Sequence, residues 1–289
     1  MSTEFKSRRD FLKITAVGAA GAVLAPHQSG RTATPSTAIP NSKWEIKLGV
    51  ASYSLRGLSR ADAIKVIQEL RTPYVNIKSF HLPYENTPEE LAAGRREFEQ
   101  AGLQIVGGGN NNISEDTDEH VRMFFEYAKI CGMPLLVIAP KPEILPRIEK
   151  FVKQYNIKVA IHNHGPEDQY FPAPKDALKL IKNMDSRVGL CVDVGHTTRT
   201  GADVVQAIAE AGDRVLDMHM KDLKDLMVKE SQCILGEGAM PIPQIFAQLQ
   251  KMKYAGYVNL EYEIDKDNPL SGMKQSFAYM RGVLAGLAI

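Results

Sequence analysis

The sequence predicts a single α/β domain folded as a closed (β/α)8 barrel, and three observations carry that prediction. From residue 44 onward, eight short apolar runs alternate with eight longer stretches of helical periodicity. Such alternation is the pattern of parallel strands joined by helical crossovers. Eight units in about 250 residues match the usual size of the closed barrel. The turn after the first run, Gly49-Val50-Ala51-Ser52, is not a glycine-rich dinucleotide turn, which counts against a doubly wound open sheet.

The apolar runs fall at 46–51, 74–77, 104–106, 135–138, 157–161, 188–192, 215–218 and 257–260. Helical patterns follow at 59–70, 88–101, 115–131, 143–154, 174–182, 201–211, 241–252 and 271–285. Ser59, Thr87-Pro88, Ser114 with Glu115, and Pro241 supply helix-entry signals. Gly107-Gly108-Gly109 lacks dinucleotide spacing and predicts close backbone packing beside a pocket. These elements form one barrel domain over 44–289.

The N-terminus has a different composition. Ser7-Arg8-Arg9-Asp10-Phe11-Leu12-Lys13 is a twin-arginine sequence, followed by a small, apolar run from Ile14 to Ala25. That run is short for a membrane span, which needs about 20 apolar residues. Val23-Leu24-Ala25 offers small residues to a peptidase, and a polar Ser/Thr/Pro linker occupies 26–43. Residues 1–25 are therefore expected to be a Tat export signal. The expected destination is the periplasm or another exported compartment, with no stable membrane insertion after signal removal. The whole chain has formal charge +1, and loss of the signal's four basic and two acidic side chains leaves −1. Neither value supports a built-in electrostatic grip on nucleic acid. Cys131, Cys191 and Cys233 show no CxxC spacing, and no essential disulfide is expected.

Active sites of such barrels form at the C-terminal ends of the strands. Of the seven histidines, His27 lies in the leader region and His120 in a helical segment. His81, His162, His164, His196 and His219 all fall at or just past strand ends. One inward residue from each of four consecutive strands gives His162, Asp193, His219 and Glu261. Mixed imidazole and carboxylate ligation suits one divalent ion: Mn2+ first, with Zn2+, Co2+ or Fe2+ as alternatives. Each residue alone has a plainer reading, as a hydrogen-bonded histidine, a helix cap or a salt-bridge partner. Lys78 and Lys221 alone could be solvated loop lysines. Asp222 and Asp225 are expected to be solvated loop charges.

Several short motifs occur in order on strands five to eight: His162-Asn163-His164-Gly165, Asp193-x-x-His196, His219-x-Lys221-Asp222, Leu235-Gly236-Glu237-Gly238, and Glu261. Over about residues 46–285 the sequence resembles the xylose-isomerase-like barrel superfamily of sugar isomerases and epimerases. The resemblance implies one divalent metal at the matching acidic and imidazole positions and a small-molecule sugar as substrate. One position departs from the family pattern, which commonly has Glu where this sequence has His162. Family epimerases use two acidic ligands as paired bases, and only Glu261 of that pair remains. Metal-dependent abasic-site endonucleases share several of these motifs but also use an Asp-x-His pair that is missing from 222–235. No nucleic-acid partner is expected.

The implied chemistry is proton removal next to a carbonyl, giving an enediolate whose charge the metal and Lys221 would stabilise. Glu261 and His164 are the candidates for proton transfer. His196, Lys78, His81 and Glu263 are the candidates for substrate binding. Reprotonation would make an isomerase or epimerase, the first expectation. Loss of an adjacent oxygen substituent would make a lyase, for example on a 3-keto-glycoside. A non-catalytic sugar-binding barrel is the third reading. The sequence leaves open a homo-oligomer.

Overall fold

The computed structural model of the protein describes residues 46–288, so the twin-arginine signal and the whole linker lie outside the described residues. Eight parallel strands close into a barrel: β1 (Lys47–Ala51), β2 (Tyr74–Ile77), β3 (Gln104–Ile113), β4 (Leu135–Pro140), β5 (Lys158–His162), β6 (Val188–Asp193), β7 (Val215–Met220) and β8 (Tyr257–Leu260). Neighbours in sequence are neighbours in the barrel, and β8 pairs with β1 to complete it. The surrounding helices are α1 (Arg60–Glu69), α2 (Pro88–Gln100), α3 (Asp118–Cys131), α4 (Leu145–Tyr155), α5 (Pro174–Ile181), α6 (Val194–Arg199), α7 (Val204–Ala211), α8 (Ile242–Lys251) and α9 (Leu270–Leu287). A two-stranded antiparallel ribbon, Asp222–Leu223 against Gln232–Cys233, follows β7.

The strands are buried on both faces, as parallel barrel strands must be. Along β6, Val188, Leu190 and Val192 join the main apolar core under the helices. Cys191 alternates with them and packs with Leu135, Val137 and Ala160 inside the barrel. The same alternation places Asp193 on the inner face, one layer above Cys191. In β7 and β8 it stacks His219 above Asp217 and Glu261 above Asn259.

Most helix entries follow the sequence signals. Ser59 accepts from the Asp62 amide at 3.2 Å, and Thr87 with Glu90 forms a capping box. Two helix starts lie three residues later than expected, and one further helix was not expected. The third helix starts at Asp118, capped by Thr117, while the Ser114 amide donates to His120 Nε2 at 3.3 Å. The expected helix at 201–211 begins at Val204 with an Asp203 cap. A separate helix, α6, follows β6 directly. Its six residues, two of them Thr and one Gly, are too few to show a periodicity.

β3 runs well beyond its expected end at 106, through the glycine triplet and Asn110–Asn112 to Ile113. At Gly109, φ is +138°, and a Cβ there would lie 2.1 Å from the Val137 carbonyl oxygen. The triplet does provide the close packing expected of it, against β4. Among the described residues no helix is long and apolar enough to cross a membrane.

Candidate active site

The ends of β5 to β8 bring His162, Asp193, His219 and Glu261 together, with one potential ligand atom from each lying within 4.8 Å of the others. His162 Nε2 is 3.0 Å from His219 Nδ1 and 3.7 Å from Asp193 Oδ2. His219 Nδ1 is 3.3 Å from Glu261 Oε2. Asp193 has two duties, because its Oδ1 accepts the His196 amide at 2.8 Å and caps α6. The plainer reading of this residue as a cap is thus correct for one oxygen and leaves the other facing the cluster.

Lys221 is buried, not a solvated loop lysine. Its Nζ lies 2.8 Å from Glu261, 2.7 Å from Glu263 and 3.0 Å from Asp193. Burial alone would lower its pKa, but these carboxylates raise it well above the ordinary lysine value. Glu261 shows the converse. Burial pushes its carboxyl up, yet Lys221 and His219 hold it well below the usual range. Burial also draws His162 well down, reinforced by the neighbouring imidazoles His164 and His219. His219 resists the same burial because of Glu261 and stays above the ordinary value.

A divalent metal fits this arrangement. His162 Nε2, His219 Nδ1, Asp193 Oδ2 and Glu261 Oε2 converge, and the other ring nitrogens, His162 Nδ1 and His219 Nε2, are buried without a hydrogen-bond partner. Unsatisfied buried polar atoms are costly in a folded protein. Two imidazoles and two carboxylates converging at one point are also a donor set for a borderline divalent ion.

The other expected residues divide. His164, half-buried, stands beside the cluster with its ring centroid 4.4 Å from that of His162. His196 lines an adjoining cavity of about 340 Å3 with Arg199, Lys221, Lys229, Gln232 and Glu263. Burial lowers its pKa, partly opposed by Asp193. Lys78 Nζ donates to the Asn110 carbonyl at 2.6 Å. Its pKa is lowered by burial and partly restored by the field of Glu261.

His81 requires a correction. It is buried, with Nδ1 3.1 Å from Ser52 Oγ and Nε2 3.2 Å from the Leu55 carbonyl. Both ring nitrogens are engaged in holding the turn after β1, leaving none for a sugar. Asp222 is also corrected, because it is buried rather than solvated. Its carboxylate accepts the amides of Gly236, Gly238 and Met240 at 2.9, 3.1 and 3.1 Å, shaping the Leu235–Gly238 loop. Asp225 is exposed, as expected.

Several residues were not foreseen. Asp168 Oδ2 lies 3.1 Å from His164 Nδ1, and Asn110 Nδ2 lies 2.8 Å from His164 Nε2. Arg199 is buried between His196 Nδ1, at 3.1 Å, and Glu167. Gln232 clamps the segment after β8, donating to the Glu261 carbonyl and accepting the Glu263 amide. Of these, only Asp168 left a trace in the sequence, as an acid four residues past a strand-end histidine.

Residues 77–283 match the family described as xylose isomerase-like TIM barrel. The chain belongs to that family. The N-terminus of this xylose isomerase-like protein, residues 7–25, matches the twin-arginine translocation signal sequence, which points to export by that route. Among proteins of known sequence, it is 27% identical over 161 residues to an inosose dehydratase of Mesomycoplasma hyopneumoniae, covering 49% of this chain and 53% of that protein. The chain thus spans about half the length of the curated relatives it matches. Among solved structures, it resembles the IolI protein with a bound zinc atom (TM-score 0.66, 15% identity, 84% of this chain and 98% of that one). It also resembles L-ribulose 3-epimerase (TM-score 0.69, 14% identity, 84% and 96%). At these identities the structural likenesses establish the fold alone.

Proposed function

We propose that this protein is an exported, divalent-metal-dependent enzyme that removes a proton next to the carbonyl of a keto-sugar or keto-cyclitol and then eliminates a neighbouring oxygen substituent. The observation that carries this reading is the composition of the cluster. Glu261 is its one carboxylate that is not also a helix cap, and His162 occupies the position opposite. The inosose dehydratase relative supports an elimination.

His162, Asp193, His219 and Glu261 would hold the metal, with Mn2+ the first candidate. The bound ion would supply electrophilic polarisation of the substrate carbonyl. Lys221 keeps Glu261 ionised, so that its carboxylate can accept the proton from carbon. The C–H bonding pair becomes the new C=C bond as the C–O bond breaks. The departing oxygen needs a proton, and His164 beside the cluster would give one from Nε2 once substrate displaces the Asn110 amide from it. Asp168 orients that ring through Nδ1. Asn110 Oδ1 is buried without a partner. Moving the Asn110 amide aside would free His164 Nε2 for the substrate. His196, Lys78 and Glu263 would bind substrate hydroxyls around the cluster.

Isomerisation or epimerisation is the second reading, and the His164–Asp168 pair is what favours it, as a second proton carrier. Incubation with inososes and 3-keto-glycosides in deuterated water with Mn2+, followed by NMR, separates the readings. Deuterium exchange together with an unsaturated product is expected. Rapid epimerisation with no elimination from any such substrate would overturn the one-base reading. Sugar binding without any exchange would leave only the binding-protein reading.

A further inference from the structure

Beneath the proposed metal cluster lies a thiol, and the barrel's stagger brings it within reach of the same ion. Cys191 precedes Asp193 by two residues on β6 and faces the same way, one layer deeper. The strand register pairs His162 of β5 with Cys191, not with Asp193. Sγ of Cys191 and one ring nitrogen each of His162 and His219 lie within 4.8 Å of one another, forming a second potential ligand group. All three residues are buried, Cys191 completely. His162 Nδ1 and His219 Nε2 have no hydrogen-bond partner. The thiol has only a long contact, 3.9 Å to Asp217 Oδ2.

We propose that the barrel contains two overlapping metal seats sharing His162 and His219: the upper one completed by Asp193 and Glu261, and a lower one completed by Cys191 that selects thiophilic ions. The proposal rests on the reading of His162 and His219 as metal-facing residues. The chemistry of the donors separates the seats. Carboxylates favour Mn2+ and similar harder ions, whereas a thiolate favours Cd2+, Zn2+ and other softer ones. The three residues of the lower seat suit an ion such as Zn2+, which is bound by three or four nitrogen and sulfur donors. Entry of a soft ion breaks the S–H bond and forms a sulfur–metal bond. The proton passes to Asp217 Oδ2, which already faces the thiol. Asn76 and Asn259 hold that carboxylate in place from 2.8 and 2.7 Å.

Because both imidazoles are shared, one ion excludes the other. A thiophilic ion would sit one layer below the substrate and away from Glu261, so it should inhibit by displacement rather than by blocking the cavity.

The test is metal binding to the full mature chain, freed of metal, with Cd2+, Co2+ and Mn2+ as probes. Cd2+ and Co2+ should produce near-ultraviolet thiolate-to-metal absorption in the wild type. Cd2+ should release Mn2+ one for one. Cys191→Ser, nearly isosteric and away from the upper carboxylates, should abolish that absorption and weaken Cd2+ binding by about tenfold or more. Its Mn2+ affinity should stay that of the wild type, which also verifies that the variant is folded. Asp193→Asn with Glu261→Gln should do the reverse, losing Mn2+ and keeping the thiolate band. The proposal is overturned if the wild type shows no thiolate band, if the band survives Cys191→Ser and so belongs to Cys131 or Cys233, or if Cd2+ and Mn2+ bind together. Mn2+ binding without a thiolate band would sink the lower seat and leave the proposed function standing. A thiolate band in a protein that never takes Mn2+ would leave the lower seat and remove the upper one.

Discussion

The two ends of the barrel are built from the same strands and have opposite chemistry. At the C-terminal end, β5 to β8 present two imidazoles, two carboxylates and a buried lysine around one point. At the N-terminal end the larger cavity, about 560 Å3, is lined by Gln104, Leu135, Lys158, Leu216, Tyr254 and Tyr257 among others. There Tyr74 packs edge-on against Tyr257 with ring centroids 5.0 Å apart, and Lys47 lies over the Tyr257 ring. No potential metal-ligand cluster occurs at that end among the described residues. Cavity size therefore does not mark the site. What marks it is how many ionisable groups are forced to share one buried volume, and that changes within a few residues along each strand. On β8 the inner face passes from Tyr257 to Asn259, and Glu261 follows just past the strand end.

The largest effect that would break this comparison is loss of the proposed base. Glu261→Gln keeps shape and removes the charge, and turnover should fall by about a hundredfold or more. Near-normal turnover in this variant, measured at saturating Mn2+, would move the base elsewhere, with His164 next in line. A second substitution sharpens the chemistry at the same end. His162→Glu restores a paired carboxylate and should raise epimerisation relative to elimination by about tenfold or more. Product stereochemistry and deuterium content on one keto-sugar would measure it. An unchanged ratio would separate the reaction outcome from residue 162.

Between the two ends sits Asp217, whose carboxyl is pushed up to about 6 by burial, with His219, Asn76 and Asn259 opposing that rise. A carboxylic acid with a raised folded-state pKa binds its proton more tightly folded than unfolded. Its contribution is therefore fully present below its ordinary value of 3.8 and is lost as pH rises towards 6. The loss is on the order of 3 kcal/mol. Denaturation of metal-free protein across that window should show this fall, and Asp217→Asn should flatten it. Equal slopes in both proteins would show that the carboxylate is not desolvated as the layered interior implies.

The smallest effect concerns a histidine at the catalytic end that serves structure. His81→Gln should cost about 1–2 kcal/mol through its lost turn bonds. KM for the sugar should stay within about twofold, since no ring nitrogen of His81 is free. A large rise in KM with unchanged stability would return His81 to the substrate.

The division between what was legible and what was not follows from how each feature is encoded. β6 announces itself because both of its faces are buried, and its last residue, Asp193, breaks the apolar run. His162, His219 and Glu261 stand out for the same reason: a ligand-type side chain at a strand end interrupts an otherwise apolar pattern. β3 is only partly legible because Gly107 to Asn112 has no strand composition, and its path is imposed by packing against β4. His81 looked like its neighbours in sequence, and only the positions of Ser52 and Leu55 reveal that its ring is occupied. Asp222 looked solvated because its partners are backbone amides some 14 to 18 residues away, which carry no side-chain signature. The pairing of His164 with Asp168 and Asn110 depends on how two loops meet above the barrel, and sequence spacing does not encode that meeting.

The claim that joins these features is that four residues from four consecutive strands form one metal seat. Elemental analysis of the mature protein, isolated without chelator, tests it most directly when wild type is compared with Asp193→Ala and Glu261→Ala. The wild type should carry about one divalent transition ion per chain, and each variant should lose most of it while circular dichroism still shows an intact barrel. Full metal content in both folded variants would contradict the account.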